Sequence, residues 1–277
     1  MLSESRWITL LRHLVLLLFV LISIYPTLNV LTISLRPHSQ LRSTSLALIP
    51  EDWTLQSYIQ LFTQQPFLRW LGNSLLISIA VTATGVALAA IGGYARSRFA
   101  FVGRKACMTA VVTTQMFPAT MLLLPLYVLI ARLDLVNTFL GLLIFYTATA
   151  LPFCLWQMKG FYDTIPVSLE EAARIDGCSR WQAFTRVTLP LAVPGLVITA
   201  LFSFMTAWSE YIVAAQVLQD SDRFTLPLGL KSFQATMSTQ WGLYAAAAML
   251  VSIPAVTVFM LVSRYLVSGL TVGGVKE

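Results

Sequence analysis

Long apolar blocks, each nearly free of charge, alternate with short polar segments along this chain. Six of them, at residues 14–35, 73–94, 106–130, 139–158, 191–215 and 243–267, have 20 residues or more. As helices rising about 1.5 Å per residue, they cross the roughly 30 Å of a bilayer's hydrocarbon core. The pattern predicts an all-α membrane protein with six transmembrane helices. The first block follows Arg6, Arg12 and His13, as the apolar region of a signal peptide would. Its run is too long for that and shows no small-residue cleavage site, so it reads as an uncleaved anchor.

Composition agrees with lipid as the solvent. Hydrophobic residues fill 57% of the 277 positions and charged ones 11%, against about half and a quarter in soluble domains. The net charge of +6 does not point to nucleic acid, because Lys and Arg are dispersed between the apolar blocks rather than gathered on one face. Their distribution sets a topology instead. Twelve of the 18 lie in the N-terminus, the second-to-third and fourth-to-fifth connections, and the tail with the adjoining end of the last block. An excess of basic residues marks the cytoplasmic side, so both termini should be cytoplasmic. The short loop with Arg96, Arg98, Arg104 and Lys105 is the strongest indication. The expected divisions are a cytoplasmic N-terminus and first helix (1–35), an outer loop (36–72), a five-helix core (73–267) and a cytoplasmic tail (268–277). Within the core, 159–190 faces the cytoplasm and 219–240 the opposite side.

Candidate chemistry is sparse. Cys107, Cys154 and Cys178 fall on or near the cytoplasmic side, where thiols stay reduced, and their odd number without a Cys-x-x-Cys pair argues against a disulfide framework or zinc. His13 and His38 lie on opposite sides, so no metal site is expected. No Gly-x-x-x-x-Gly-Lys-Ser/Thr phosphate loop occurs, since Gly103-Arg104-Lys105 lacks the first glycine and the hydroxyl residue. Neither a Gly-x-Ser-x-Gly elbow nor a His-Glu-x-x-His pair is present. Ion-coupled carriers usually need several Asp, Glu or His inside their spans, and these blocks hold almost none.

The charged connection SLEEAARIDGCSRWQAFTRVTLPLAVPG, residues 168–195, stands out between two apolar blocks. Ser168 with Glu171 suggests a capping box opening a short helix over 169–176, after the stop at Pro166. Gly177 suits the left-handed residue that closes such a helix. Ser179 with Gln182 repeats the capping signal for a second short helix reaching Thr185 or Val187, which Leu189-Pro190 should break. Ala172 and Ala173 allow close approach of another surface, and Ile175, Trp181, Phe184 and Val187 supply apolar anchors. By periodicity alone the segment reads as a solvated loop, an amphipathic helix on the headgroups, or a docking element. Two successive caps with an intervening glycine favour the last.

Glu171-Ala172-Ala173, then Gly177, Val187 and Leu189-Pro190, resemble the "EAA" loop of permease subunits of bacterial ABC importers, with Val187 where isoleucine is usual. ISLRP, YARSRF, QMFPA and GLTVGGVKE extend the likeness over most of the chain, toward the six-helix maltose/maltodextrin type. The resemblance implies the type I ABC importer permease fold. It also implies a coupling helix in 159–190 that sits in a cleft of an ATP-binding subunit, contacted through Glu171, Ala172, Ala173, Gly177, Val187, Leu189 and Pro190. Gly273, Gly274 and Lys276 would reach that subunit near its nucleotide. The implied partners are a second permease subunit, two ATP-binding subunits that carry ATP and Mg, and a periplasmic sugar-binding protein touching the 219–240 loop. The chain itself would then be no enzyme and carry no cofactor, in the inner membrane of a bacterium.

Polar residues inside the blocks are candidates for a substrate pathway, because lipid penalises them unless they face protein or water. Gln115 lies one turn before Pro118, which frees backbone groups that a neighbouring helix or water must satisfy. Trp208, Glu210 and Tyr211 pair aromatic faces with a carboxylate, a combination that suits a sugar. Interfacial Trp and Tyr also serve as belt anchors. Gly85, Ala89, Gly92 and Gly93 read as close-packing positions. The 219–240 loop is long enough to be functional.

Overall fold

The computed structural model describes residues 6–37, 52–234 and 239–272, and every described element is helical. In chain order these are α1 (Arg6–Ser34), α2 (Gln56–Gln64), α3 (Phe67–Arg98), α4 (Arg104–Thr114), α5 (Ala119–Arg132), α6 (Phe139–Thr164) and α7 (Val167–Ile175). After these come α8 (Arg180–Ala183), a π turn (Phe184–Thr188), α9 (Leu189–Leu191), α10 (Val193–Ser209), α11 (Ile212–Val217), α12 (Leu226–Lys231) and α13 (Trp241–Val272). The tail residues Gly273, Gly274 and Lys276 lie outside the described residues.

Four helices, α1, α3, α6 and α13, are long and apolar enough to cross a membrane, or up to five spans if a bent pair ending in α10 counts as one. The third and fifth apolar blocks are therefore not single helices. In the third, the chain tightens into i→i−3 hydrogen bonds after α4, with Gln115 N–H donating to Val112 O and Met116 N–H to Thr113 O, both at 3.0 Å. Pro118 explains the stop: it has no N–H, its ring crowds the carbonyl four residues back, and it drives Phe117 out of the helical region. The fifth block holds α10 and most of α11, and the helical stretch from α8 to α9 meets α10 at a 74° bend. Beyond α10, Glu210 and Tyr211 leave the helix before α11.

The chain divides into two compact units, one of residues 1–68 with 229–253 and the other of 69–228 with 254–277. In the first, α1 has apolar side chains exposed all round from Trp7 to Leu28, as a lipid-facing helix does. The second is organised by α6, which packs against α4, α5, α10 and α11. One apolar core joins Ile77 and Val81 of α3, Leu142 and Phe145 of α6, and Val213 and Val217 of α11. A second, nearer Arg98, joins Ala89 and Tyr94 to Cys154, Met158, Tyr162 and Phe184. Close approach between α3 and α6 rests on Gly93, where a Cβ would fall 2.9 Å from Met158 Cβ and 3.0 Å from the Lys159 backbone nitrogen.

The start of the 219–240 loop is tied down. Asn137 occupies the left-handed region at φ +58°, which Asn tolerates. Its Oδ1 accepts the N–H groups of Gln219 at 3.1 Å and Asp220 at 3.2 Å, and its own N–H donates to Val217 O at 2.7 Å. On the other flank, Asn73 donates to the carbonyls of Asp222 and Phe224, Trp70 donates to Ser221 O, and Ser74 Oγ accepts the Leu226 N–H. Residues 219–226 are a strap, not a free loop; residues 235–238 lie outside the described residues.

Candidate functional site

The 167–191 segment folds through successive backbone stops and caps. Its first helix opens two residues earlier than the pair Ser168–Glu171 suggests. Pro166 is the N-cap of α7, with no side-chain cap bond, so Ser168 already lies inside the first turn and its capping box does not form. The C-terminus is a Schellman turn: Cys178 N–H reaches Ala173 O at 2.9 Å and Gly177 N–H reaches Arg174 O at 3.1 Å. Gly177 supplies the φ of +90° that this turn requires. The expected second capping box is present, with Gln182 N–H donating to Ser179 Oγ at 3.2 Å and Ser179 N–H to Gln182 Oε1 at 2.8 Å.

Leu189-Pro190 does not break the second helix. Pro190 has no N–H for the carbonyl of Arg186, and the chain widens upstream into the π turn, where Leu189 N–H bonds to Phe184 O. The bend comes at Ala192, which leaves helical geometry just before α10 opens with Val193 and Pro194. Val187 and Leu189 are half-buried and Pro190 is exposed.

Two faces of α7 are thereby separated. Ser168, Glu171, Ala172 and Ile175 are three and four residues apart and all exposed, with Ile175 at 87%. Trp181 on α8 is exposed as well. On the other face Glu170 is buried and locked to α3. Arg98 Nε donates to Glu170 Oε1 at 2.6 Å, Tyr94 OH donates to Oε2 at 2.8 Å, and a further Arg98 nitrogen donates to Ile165 O at 2.8 Å. The Arg98 and Glu170 side chains are 8% and 9% exposed. Tyr94 also meets Phe184 at 4.4 Å between ring centroids, so α3 grips both short helices. A cleft of about 240 Å³ opens beside this contact, lined by Glu171, Arg174 and Arg180 among others. No local signal in the sequence marks Glu170, Arg98 and Tyr94 as a unit, although the strings YARSRF and SLEEAAR contain them.

The pathway candidates separate. Gln115, in the break between α4 and α5, donates to Thr149 O of α6 at 3.2 Å and lines a mainly apolar cavity of about 370 Å³. Trp208 is only 3% exposed and stacks on Phe204 at 5.5 Å, so its face is used inside the chain. The Glu210 carboxylate accepts the N–H groups of Val213, at 2.9 and 3.1 Å, and Ala214, at 3.3 Å, at the start of α11. Tyr211 is exposed. Glu210→Ala should therefore cost about 1 kcal/mol through loss of a helix-capping acceptor, lowering the thermal midpoint and leaving the sugar dependence unchanged. Altered sugar dependence at unchanged stability would return Glu210 to the pathway.

Residues 85–272 match the family described as binding-protein-dependent transport system inner membrane component. The maltose/maltodextrin transport system permease protein MalG of Salmonella typhimurium is 40% identical over 286 residues, covering 96% of this chain and 95% of that protein. The inner membrane ABC transporter permease protein YcjP of Escherichia coli is 36% identical, covering 94% and 93%. The diacetylchitobiose uptake system permease protein DasC of Streptomyces coelicolor is 33% identical, covering 91% and 92%. Among solved structures, a bacterial ABC transporter involved in import of the acidic polysaccharide alginate superposes with a TM-score of 0.81 at 22% identity, covering 95% of this chain and 98% of that one. At that identity the likeness is one of fold. With a family match over more than half its length, this chain belongs to the inner membrane components of binding-protein-dependent transport systems, as a permease subunit of an ABC importer.

Proposed function

We propose that this chain is one of two different permease subunits enclosing a pore for maltose and malto-oligosaccharides in a bacterial inner membrane. In this reading the chain crosses six times, the third time by the broken pair α4–α5 and the fifth by α10, with both termini cytoplasmic. The basic-residue excess near the termini and in 159–190 supports that orientation. The 36–72 and 219–240 segments then face the periplasm, where a sugar-binding protein docks.

Energy comes from two copies of an ATP-binding subunit, which hold ATP and Mg; this chain contributes no catalytic group. Glu171, Ala172 and Ala173 enter a cleft of that subunit, Gly177 sets the angle between α7 and α8, and Val187, Leu189 and Pro190 pass the motion into α10. Gly273, Gly274 and Lys276 reach the same subunit near its nucleotide. Gln115 and Tyr211 are the remaining residues proposed to face sugar. The observation that carries the reading is the capped helix pair, which presents Glu171, Ala172, Ile175 and Trp181 outward while Glu170 is held within the chain. The 40% identity to a maltose/maltodextrin permease supports the substrate.

A second reading keeps the machine and changes the sugar to another glucoside, to trehalose or to glycerol-phosphate. The similar diacetylchitobiose permease favours such a shift of substrate. The test is purification of the intact complex and measurement of ATPase stimulation by loaded binding protein across a panel of sugars. Maltodextrins should stimulate most. The isolated chain should hydrolyse no ATP, and intrinsic hydrolysis with contaminants excluded would sink the importer mechanism for it.

A further inference from the structure

We infer that α2, with Trp53 just ahead of it, is an interfacial helix whose exposed apolar stripe rests in the headgroup–acyl boundary of the leaflet that meets the C-terminal end of α1. Leu55, Ile59 and Phe62 are spaced by four and three residues, so they form one stripe, and they are 50%, 54% and 47% exposed. Ser57 and Leu61, on the opposite side of the helix, are buried.

The depth of α2 is set by its attachments to α1. Thr54 N–H donates to Leu35 O at 2.9 Å, and the Tyr58 hydroxyl bonds Ser34 Oγ at 2.8 Å. From Arg12 to Ser34 the α1 helix rises about 33 Å, close to the roughly 30 Å hydrocarbon thickness. With Arg12 at one surface of the bilayer, Ser34 reaches the other, and α2 is held there.

The chemistry of the stripe suits that zone. No charged residue occurs from Trp53 to Gln65, so attachment needs no anionic lipid. Trp53, 59% exposed, is of the type enriched where hydrocarbon meets water. A helix of this kind binds by immersing its apolar face to a shallow depth. The inference holds for either orientation of the chain, and so stands or falls separately from the proposed substrate.

The experiment uses the intact wild-type complex in nanodiscs of phosphatidylcholine carrying a photoactivatable diazirine near the headgroup end of one acyl chain. After illumination, adducts mapped by mass spectrometry should fall on Trp53, Leu55, Ile59 and Phe62, and remain when phosphatidylglycerol is mixed in or loaded binding protein is added. Adducts on α1 with none on α2 would overturn the inference. Loss of the α2 adducts on adding binding protein would overturn it too, assigning the stripe to that protein. As an independent readout, Ile59→Asp with Phe62→Asp should abolish the α2 adducts and leave those on α1; unchanged labelling at Trp53 and Leu55 would count against the inference.

Discussion

Glu170→Ala is expected to destabilise the chain by about 3–5 kcal/mol, the usual cost of removing one partner of a buried ion pair. Arg98 would keep its bond to Ile165 O but lose the carboxylate it is paired with, since Tyr94 is neutral. The contact joins the C-terminal end of α3 to α7, so its loss should also free α7 from the membrane helices. Thermal unfolding of the detergent-solubilised complex should show a lower midpoint, and ATP hydrolysis should no longer follow sugar-loaded binding protein. Arg98→Met combined with Glu170→Leu separates the two effects. Two apolar side chains of similar volume should recover much of the stability without restoring the directional hydrogen bonds from α3 to α7, so coupling stays impaired. An unchanged midpoint in Glu170→Ala would show that the pair holds nothing together.

Gly177→Val should leave insertion intact and reduce capture of the ATP-binding subunit. Nothing lies within 4 Å of a Cβ built on Gly177, so the penalty is one of backbone conformation, about 1–2 kcal/mol for a side chain held in the left-handed region. That is small beside the stability of the whole chain. It is large for a single turn that aims α8, because each 1.4 kcal/mol shifts an equilibrium about tenfold. Gly177→Asn should be milder, since Asn also closes helices in this conformation. The measurement is the amount of ATP-binding subunit retained by purified permease, alongside sugar uptake in cells. Wild-type uptake by the valine variant would mean that the direction of α8 is immaterial.

The strap over residues 219–226 changes how the 219–240 loop is to be tested. Removing 221–239 would cut bonds from Trp70, Asn73 and Ser74 together with any docking surface. A stretch read from its polarity as exposed is thus partly structural. Polar residues satisfy backbone groups at such turns as readily as they meet solvent or a partner.

Much of this architecture is written locally in the chain. Apolar block length marks where helices form, because helical geometry and bilayer thickness fix the number of residues needed. Gly177 and the Ser179–Gln182 pair also act within a few residues, so their turn and cap were legible. The family likeness was carried by Glu171-Ala172-Ala173, Gly177 and Leu189-Pro190 at fixed spacing. Tertiary structure decided what depends on distant partners. Glu170 and Glu171 are adjacent and chemically alike; only the packing of α3, which brings Arg98 and Tyr94 to one of them, makes Glu170 internal and leaves Glu171 outside. Trp208 and Glu210 are alike in sequence as polar or aromatic groups open to a ligand; the fold stacks Trp208 on Phe204 and sets the Glu210 carboxylate on the α11 backbone. Proline gave the same lesson: Pro118 stands in the break between α4 and α5, whereas Pro190 sits beside a π turn within a continuing helix. Local sequence names the groups able to bond, while the fold decides which partners come within reach.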